Sequence, residues 1–230
     1  MTNQTRGIVG SVLAPACRVW LRSQVSHVDD LQVEIAGGSR QILGGRIPRV
    51  AVGAVGAIYQ GLSLGSIDLV AEDIRINLPQ VIKGQPLCLL APIGVLADVK
   101  FSERDLQASL AAPLLSQAIT DLLGQILATD LTQSNWQIDW ERLEIVPQTL
   151  ILQGNLTLGD RTAPIEIAMG IAIHDGHLLD LDPLKITCAL DLPGKDITSH
   201  QIDLGSDVDI TQLTLQAGTL HCQGRIQVNP

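Results

Sequence analysis

Apolar residues recur at helical spacing in two stretches of this chain and at strand spacing almost everywhere else. Residues 7–25 form the first helical stretch. At 100° per residue, Ile8, Val9, Val12, Leu13, Ala16, Val19 and Trp20 fall on one broad face, opposite Ser11, Pro15, Arg18 and Arg22. Pro15 lacks the amide proton that a helix interior needs, so a kink or a fresh helical start is expected there. From Leu31 onward the period is two: Leu31, Val33 and Ile35, then Ile67 and Leu69, Ile74 and Ile76, and Val95, Val99 and Phe101. Glycines punctuate this region at Gly37-Gly38, Gly44-Gly45, Gly53, Gly56, Gly61 and Gly65. No GK[ST] follows them, so they read as bulges and bends, the means by which strands curve, and not as a phosphate loop.

The second helical stretch runs from Ser102 to about Leu127. Ser102 is placed to cap it, and Glu103 and Asp105 in its first turn suit the positive end of the helix dipole. Its stripe changes phase at Pro113: Leu106, Leu110 and Leu114 share one face, and Leu115, Ile119, Leu122, Leu123 and Ile126 share nearly the opposite one. A single helix kinked at Pro113 explains both, and would run about 39 Å. The C-terminal half alternates again, most clearly at Ile165, Ile167, Met169, Ile171 and Ile173, before a hairpin turn at Asp175-Gly176. No linker demands a boundary. The pattern predicts an α+β chain dominated by antiparallel sheet, with residues 1–28 as an amphipathic helix and residues 29–230 as a single domain.

Composition sharpens this picture in one respect. Apolar residues make up 46% of the chain but aromatics only 2%, so its hydrophobic surface is almost wholly Leu, Ile and Val. An aliphatic interior of that kind suits acyl chains, which need a smooth apolar wall; it also suits an ordinary aliphatic core. The net charge of −9 argues against nucleic acid as a partner. The charge is uneven. Residues 1–28 carry Arg6, Arg18 and Arg22 and no acid, leaving −12 for the rest. A basic amphipathic helix on an acidic body suits an anionic membrane surface, with Val12, Arg18, Val19, Trp20 and Arg22 as the expected contacts and Trp20 at headgroup level. Packing of the same helix on its own domain is the competing expectation.

Neither a transmembrane run nor a signal peptide is read in the sequence. The apolar stretches are too short for a span, and Pro15, Arg18 and Arg22 interrupt what an export signal would need. Cys17, Cys88, Cys188 and Cys222 are far apart, as reduced thiols would be, so a cytoplasmic location is expected. His174 and His177 flank the Asp-Gly turn near Asp180 and Asp182, an arrangement read as solvated hairpin residues and not as a metal site. His27, His200 and His221 bear no spacing relation to a nucleophile. GxSxG and HExxH are missing, and Asp203, Asp207 and Asp209 lack the rest of a calcium loop. No catalytic residue, metal or cofactor is assigned.

The stretches IYQGLSLGSIDLVAEDIRINLPQVIKGQPLCLL and FSERDLQASLAAPLLSQAI, preceded by QVSHVDDLQVEIAGGSRQILGGRIPRV, resemble the LmeA-like phospholipid-binding family, most closely its branch in photosynthetic bacteria. The resemblance covers most of the chain and rests on apolar and glycine patterns. It implies a tubular lipid-binding fold, in which a strongly curved antiparallel sheet wraps a long helix around an apolar groove, and it implies phospholipid or another acyl lipid as ligand. Relatives in that family can carry an export signal, which this N-terminus does not resemble, so a cytoplasmic membrane face is expected. Of the two helical stripes, Leu106, Leu110 and Leu114 are assigned to the lipid, and Leu115, Ile119, Leu122 and Leu123 to packing. Three functions stand: a lipid carrier or sensor at a membrane surface; an enzyme or accessory factor acting on membrane lipids; and a structural scaffold with a filled core.

Overall fold

The structure is a computed structural model describing residues 8–81, 83–86, 88–126, 136–190 and 197–230. Strands dominate, and the short helices sit between them. After helix α1 (Ile8–Gln24) come β1 (Asp30–Ala36), the one-turn helix α2 (Ser39–Leu43), β2 (Arg46–Tyr59), β3 (Leu62–Arg75), the short α3 (Leu78–Val81) and β4 (Ile93–Ser102). Helices α4 (Glu103–Ala108) and α5 (Pro113–Ile126) follow. The chain then runs through β5 (Trp136–Val146), β6 (Thr149–Leu158), β7 (Arg161–His174), β8 (Leu178–Cys188), β9 (His200–Asp203), β10 (Val208–Gln216) and β11 (Thr219–Val228). Every pairing is antiparallel.

The strands form two sheets where one curved sheet was expected. Six strands lie in the order β1-β2-β3-β4-β11-β10 and five in the order β5-β6-β7-β8-β9. Hairpins account for most neighbours. In the two-residue turn of β2–β3, Gln60 and Gly61 both take positive φ, as such a turn between right-twisted strands requires. The Asp175-Gly176 turn joins β7 to β8, as the alternation around it predicts. Bends in the strands sit where one strand has an extra residue and its partner a glycine: Gly154 opposite the bulge at 140–142, and Gly170 opposite Asp182-Pro183. A Cβ on Gly170 would lie 2.1 Å from the Asp182 carbonyl oxygen, so no larger residue fits that approach.

The long kinked helix does not form. Ser102 caps α4 as predicted, its Oγ accepting from the Asp105 amide while the Asp105 carboxylate accepts from the Ser102 amide. The helix then stops at Ala108, and a four-residue turn leads to α5, which begins at Pro113. Proline at the first helical position loses nothing, because its missing N–H has no intrahelical partner there. So Pro113 starts a helix instead of bending one. The turn is held by Ser109, which is fully buried; its Oγ donates to the Asp105 carbonyl (2.6 Å) and accepts from the Ser63 amide (2.8 Å) in β3.

Two apolar clusters result. The larger packs α4 and α5 on the five-stranded sheet, with Leu123, Ile126, Leu152, Leu156, Ile165 and Ile167 among its most buried members. Phe101, Leu215 and Leu220 join it from the near end of the six-stranded sheet. The smaller cluster gathers Val33, Ile35, Ile42, Ile47, Ala71 and Ile74 at that sheet's other end. Helix α1 covers it through Ala14, Cys17 and Leu21, a narrow stripe at i, i+3 and i+7. On the opposite face of the six-stranded sheet, Asp98 of β4 meets Gln223 and His221 of β11, with His221 Nε2 2.7 Å away. Gln223's hydrogen bond, and to a lesser degree His221, hold the Asp98 carboxyl below its ordinary range despite some desolvation.

Candidate functional site

Between α5 and the five-stranded sheet lies a cavity of about 390 Å³. Leu115, Ala118, Ile119 and Leu122 line it from α5, and Leu106 from α4. Across from them stand the inward positions of successive strands: Leu143, Leu150, Leu152, Met169, Ile171, Leu179, Leu181 and Ile202, with Leu204 beyond β9 and Leu220 from β11. The lining is built by alternation. On β6 the pair Leu150 and Leu152, and on β8 the pair Leu179 and Leu181, are two residues apart and so share one face. Asp121 and Gln125 are the polar residues of the lining, both exposed and one helical turn apart on α5, which puts them at the rim. The remaining side chains offer only aliphatic surface and the Met169 thioether. A lining of this kind can accept a nonpolar chain by contact alone, with polar groups available at the mouth.

The structure divides each helical stripe between the cavity and other positions. Leu106 is buried and lines the cavity. Leu110 is also buried but packs into the solid part of the larger cluster, and Leu114 is 43% exposed at the start of α5. Neither lines the cavity. Leu115, Ile119 and Leu122, assigned to packing, do line it, while Leu123 points away into solid core at 1% exposure. The physical reason is the break at Ala108–Pro113: α5 is a separate helix whose rotation is set by the Ser109 turn, so its phase does not continue from α4. The strand contributions to the wall were visible only as alternation, which marks an inward face without telling a filled core from a cavity.

At the N-terminus, Val19 is 72% and Trp20 60% exposed, and Arg18 and Arg22 are exposed beside them. The side chain of Val12 lies outside the described residues. Counting 100° per residue, Val19 and Trp20 sit on the side of α1 away from Ala14, Cys17 and Leu21, with the two arginines on one flank. His174 and His177 sit at the β7–β8 turn; His177 Nδ1 lies 2.8 Å from the Asp175 carbonyl and His174 3.5 Å from its carboxylate. Among the described residues no three His, Cys, Asp or Glu side chains converge as metal ligands would. A second hollow, of about 500 Å³, is bordered by Asp180, Asp182, Ser199, His200 and Gln201.

No curated protein and no solved structure matches the chain. A family model does, over residues 5–225 of the 230, and so takes in both sheets, α4, α5 and the whole cavity wall. The chain belongs to the LmeA-like phospholipid-binding family.

Proposed function

We propose that this protein carries a phospholipid or related acyl lipid at a membrane surface, holding acyl chain in the cavity between α5 and the five-stranded sheet. The observation that carries this reading is the cavity itself: about 390 Å³ of aliphatic wall, with polar residues confined to its rim, in a chain of a phospholipid-binding family. An acyl chain gains roughly 0.8 kcal/mol per buried methylene on entering such a space. Residues 29–230 act as one lipid-binding domain and α1 as its membrane contact. Binding, and not turnover, is the role assigned to the site, because its lining is aliphatic apart from Asp121 and Gln125 at the rim. Gently purified protein is expected to retain lipid near one per chain, read by native mass spectrometry and extraction. An empty protein that also fails to take up a fluorescent lipid would refute the reading.

Membrane contact through α1 is supported by the exposed Val19 and Trp20 and the flanking Arg18 and Arg22. No described helix is long and apolar enough to cross a membrane, so contact of this kind would be lateral. Because Ala14, Cys17 and Leu21 cover the smaller cluster, removing the helix would disturb the fold, and point changes are the cleaner test. Trp20→Ser with Val19→Ser is expected to weaken binding to anionic vesicles by about tenfold or more, the scale of withdrawing a large apolar side chain from the interface. Thermal stability should hardly change. Arg18→Gln with Arg22→Gln should weaken binding at low salt and matter little at high salt. Vesicle sedimentation that is equal for all variants would remove α1 from the role.

A further inference from the structure

The cavity is small for its proposed ligand. At about 390 Å³ it lies toward the lower end of the ~300–1,000 Å³ usual for ligand sites and has room for a single acyl chain, whereas a phospholipid has two. The cavity wall itself shows where a second chain can go. Leu220, which closes the cavity from β11, belongs to the apolar face of the six-stranded sheet, in register with Phe101 of β4 and Leu215 of β10. Two residues further along β11 on the same face is Cys222, flanked by Val99 and Leu213, with Ile67 beyond Val99. The next row holds Gly224, Ala97 and Leu69.

These two rows belong to neither apolar cluster. The larger cluster ends at Phe101, Leu215 and Leu220, and the smaller begins at Ala71 and Val95. Between them Ile67, Leu69, Ala97, Val99 and Cys222 are only half-buried although they lie on the inner strands β3, β4 and β11, and Leu213 on the edge strand β10 is half-buried as well. No charged side chain lies in either row; the acidic and basic residues of these strands, Asp68, Asp98 and Lys100, alternate to the opposite face. From Leu220 to Ile226, which is 46% exposed, the strand covers roughly 20 Å. One leaflet of a bilayer is about 15 Å of hydrocarbon deep. The strip is therefore apolar, uncharged, long enough for an acyl chain and continuous with the cavity.

Building on the lipid-binding reading, we propose that the ligand is a two-chain lipid: one acyl chain fills the cavity, and the other lies along the half-buried apolar strip of the six-stranded sheet, over Cys222. The Cys222 thiol makes this testable. It is one of four free cysteines, and Cys88 is exposed and serves as an internal reference. Burial, and secondarily the Asp98 carboxylate, push the Cys222 thiol up, so alkylation is run at mildly alkaline pH. The protein is treated with N-ethylmaleimide after delipidation, and again after loading with dioleoyl phosphatidylcholine or with oleate. Native mass spectrometry confirms loading, and peptide mass spectrometry locates the adducts.

The expected result is that the phospholipid slows Cys222 modification by about tenfold relative to Cys88, while bound oleate leaves it unchanged, because burial in apolar surroundings removes access and one chain needs only the cavity. Ala97→Arg, which puts a charge on the strip, should weaken phospholipid binding by roughly tenfold and leave oleate binding intact. Phospholipid bound with Cys222 as reactive as in the empty protein, or oleate protecting it equally, would overturn the second-chain route while leaving lipid binding standing. Failure of both ligands to bind would overturn the lipid reading itself, and the route with it.

Discussion

The Leu122→Trp protein is expected to fold normally and to lose at least tenfold in lipid uptake. Leu122 lines the cavity from α5 and is half-buried, packed against the edge of the larger cluster. In a solid core the same enlargement would force neighbours off their rotamers and cost about 1–3 kcal/mol. Here the indole enters space that already exists, so the apo protein should melt within a few degrees of the wild type or slightly above it. What is lost is the volume an acyl chain would occupy. Fluorescent-lipid uptake and a thermal melt on the same samples separate the two effects. Wild-type uptake in a well-folded variant would mean that lipid binds elsewhere.

Truncating adjacent leucines is expected to divide them sharply. Leu123 is 1% exposed in close-packed core, so Leu123→Ala should destabilise the protein by about 2–5 kcal/mol, the lost transfer energy plus the new void. Leu122→Ala enlarges a void already present and should cost less than about 1 kcal/mol, since the residue has fewer packed neighbours to lose. Urea unfolding of both, compared by midpoint at constant slope, makes the measurement. Equal costs would mean that α5 sits on a filled core, which is the scaffold reading. The contrast is informative because composition, helix propensity and sequence neighbourhood are nearly the same at the two positions.

Local chemistry was legible from residues near one another in sequence. Ser102 caps a helix because Asp105 is three residues on, and Asp175-Gly176 turns a hairpin because both residues accept positive φ. The alternation of Ile165, Ile167, Met169, Ile171 and Ile173 marks a strand with one inward face, buried at its first three members and half-buried at Ile171 and Ile173. What was not legible depends on partners far away. Ser109 ends α4 by bonding to Ser63, 46 residues earlier, and nothing local to the stretch from Ser102 to Leu127 signals that contact. The rotation of α5 follows from it, and with it the choice of stripe that faces the cavity. Division into two sheets was hidden for a like reason: β4 pairs with β11, whose His221 is 123 residues beyond Asp98. In α1 the apolar face read from the sequence includes Val19 and Trp20, but among the described side chains the tertiary contact is made by Ala14, Cys17 and Leu21, and Val19 and Trp20 are exposed.

Strand β5 ends the five-stranded sheet, and its outer backbone groups are answered by side chains of α4. The Leu143 amide donates to Gln107 Oε1 (2.6 Å) and the Ile145 amide to Glu103 Oε2 (2.8 Å), while Gln107 Nε2 donates to the Glu141 carbonyl (2.8 Å). The Gly218 amide from the β10–β11 turn takes the Ile145 carbonyl (2.9 Å). Unpaired, these backbone groups would be a template for another chain's strand. Two polar side chains on a helix of six residues fill the place of a sixth strand. Intermolecular pairing along this stretch is opposed by the same helix that contributes Leu106 to the cavity, so loss of α4 from its seat would open the cavity and the strand edge together.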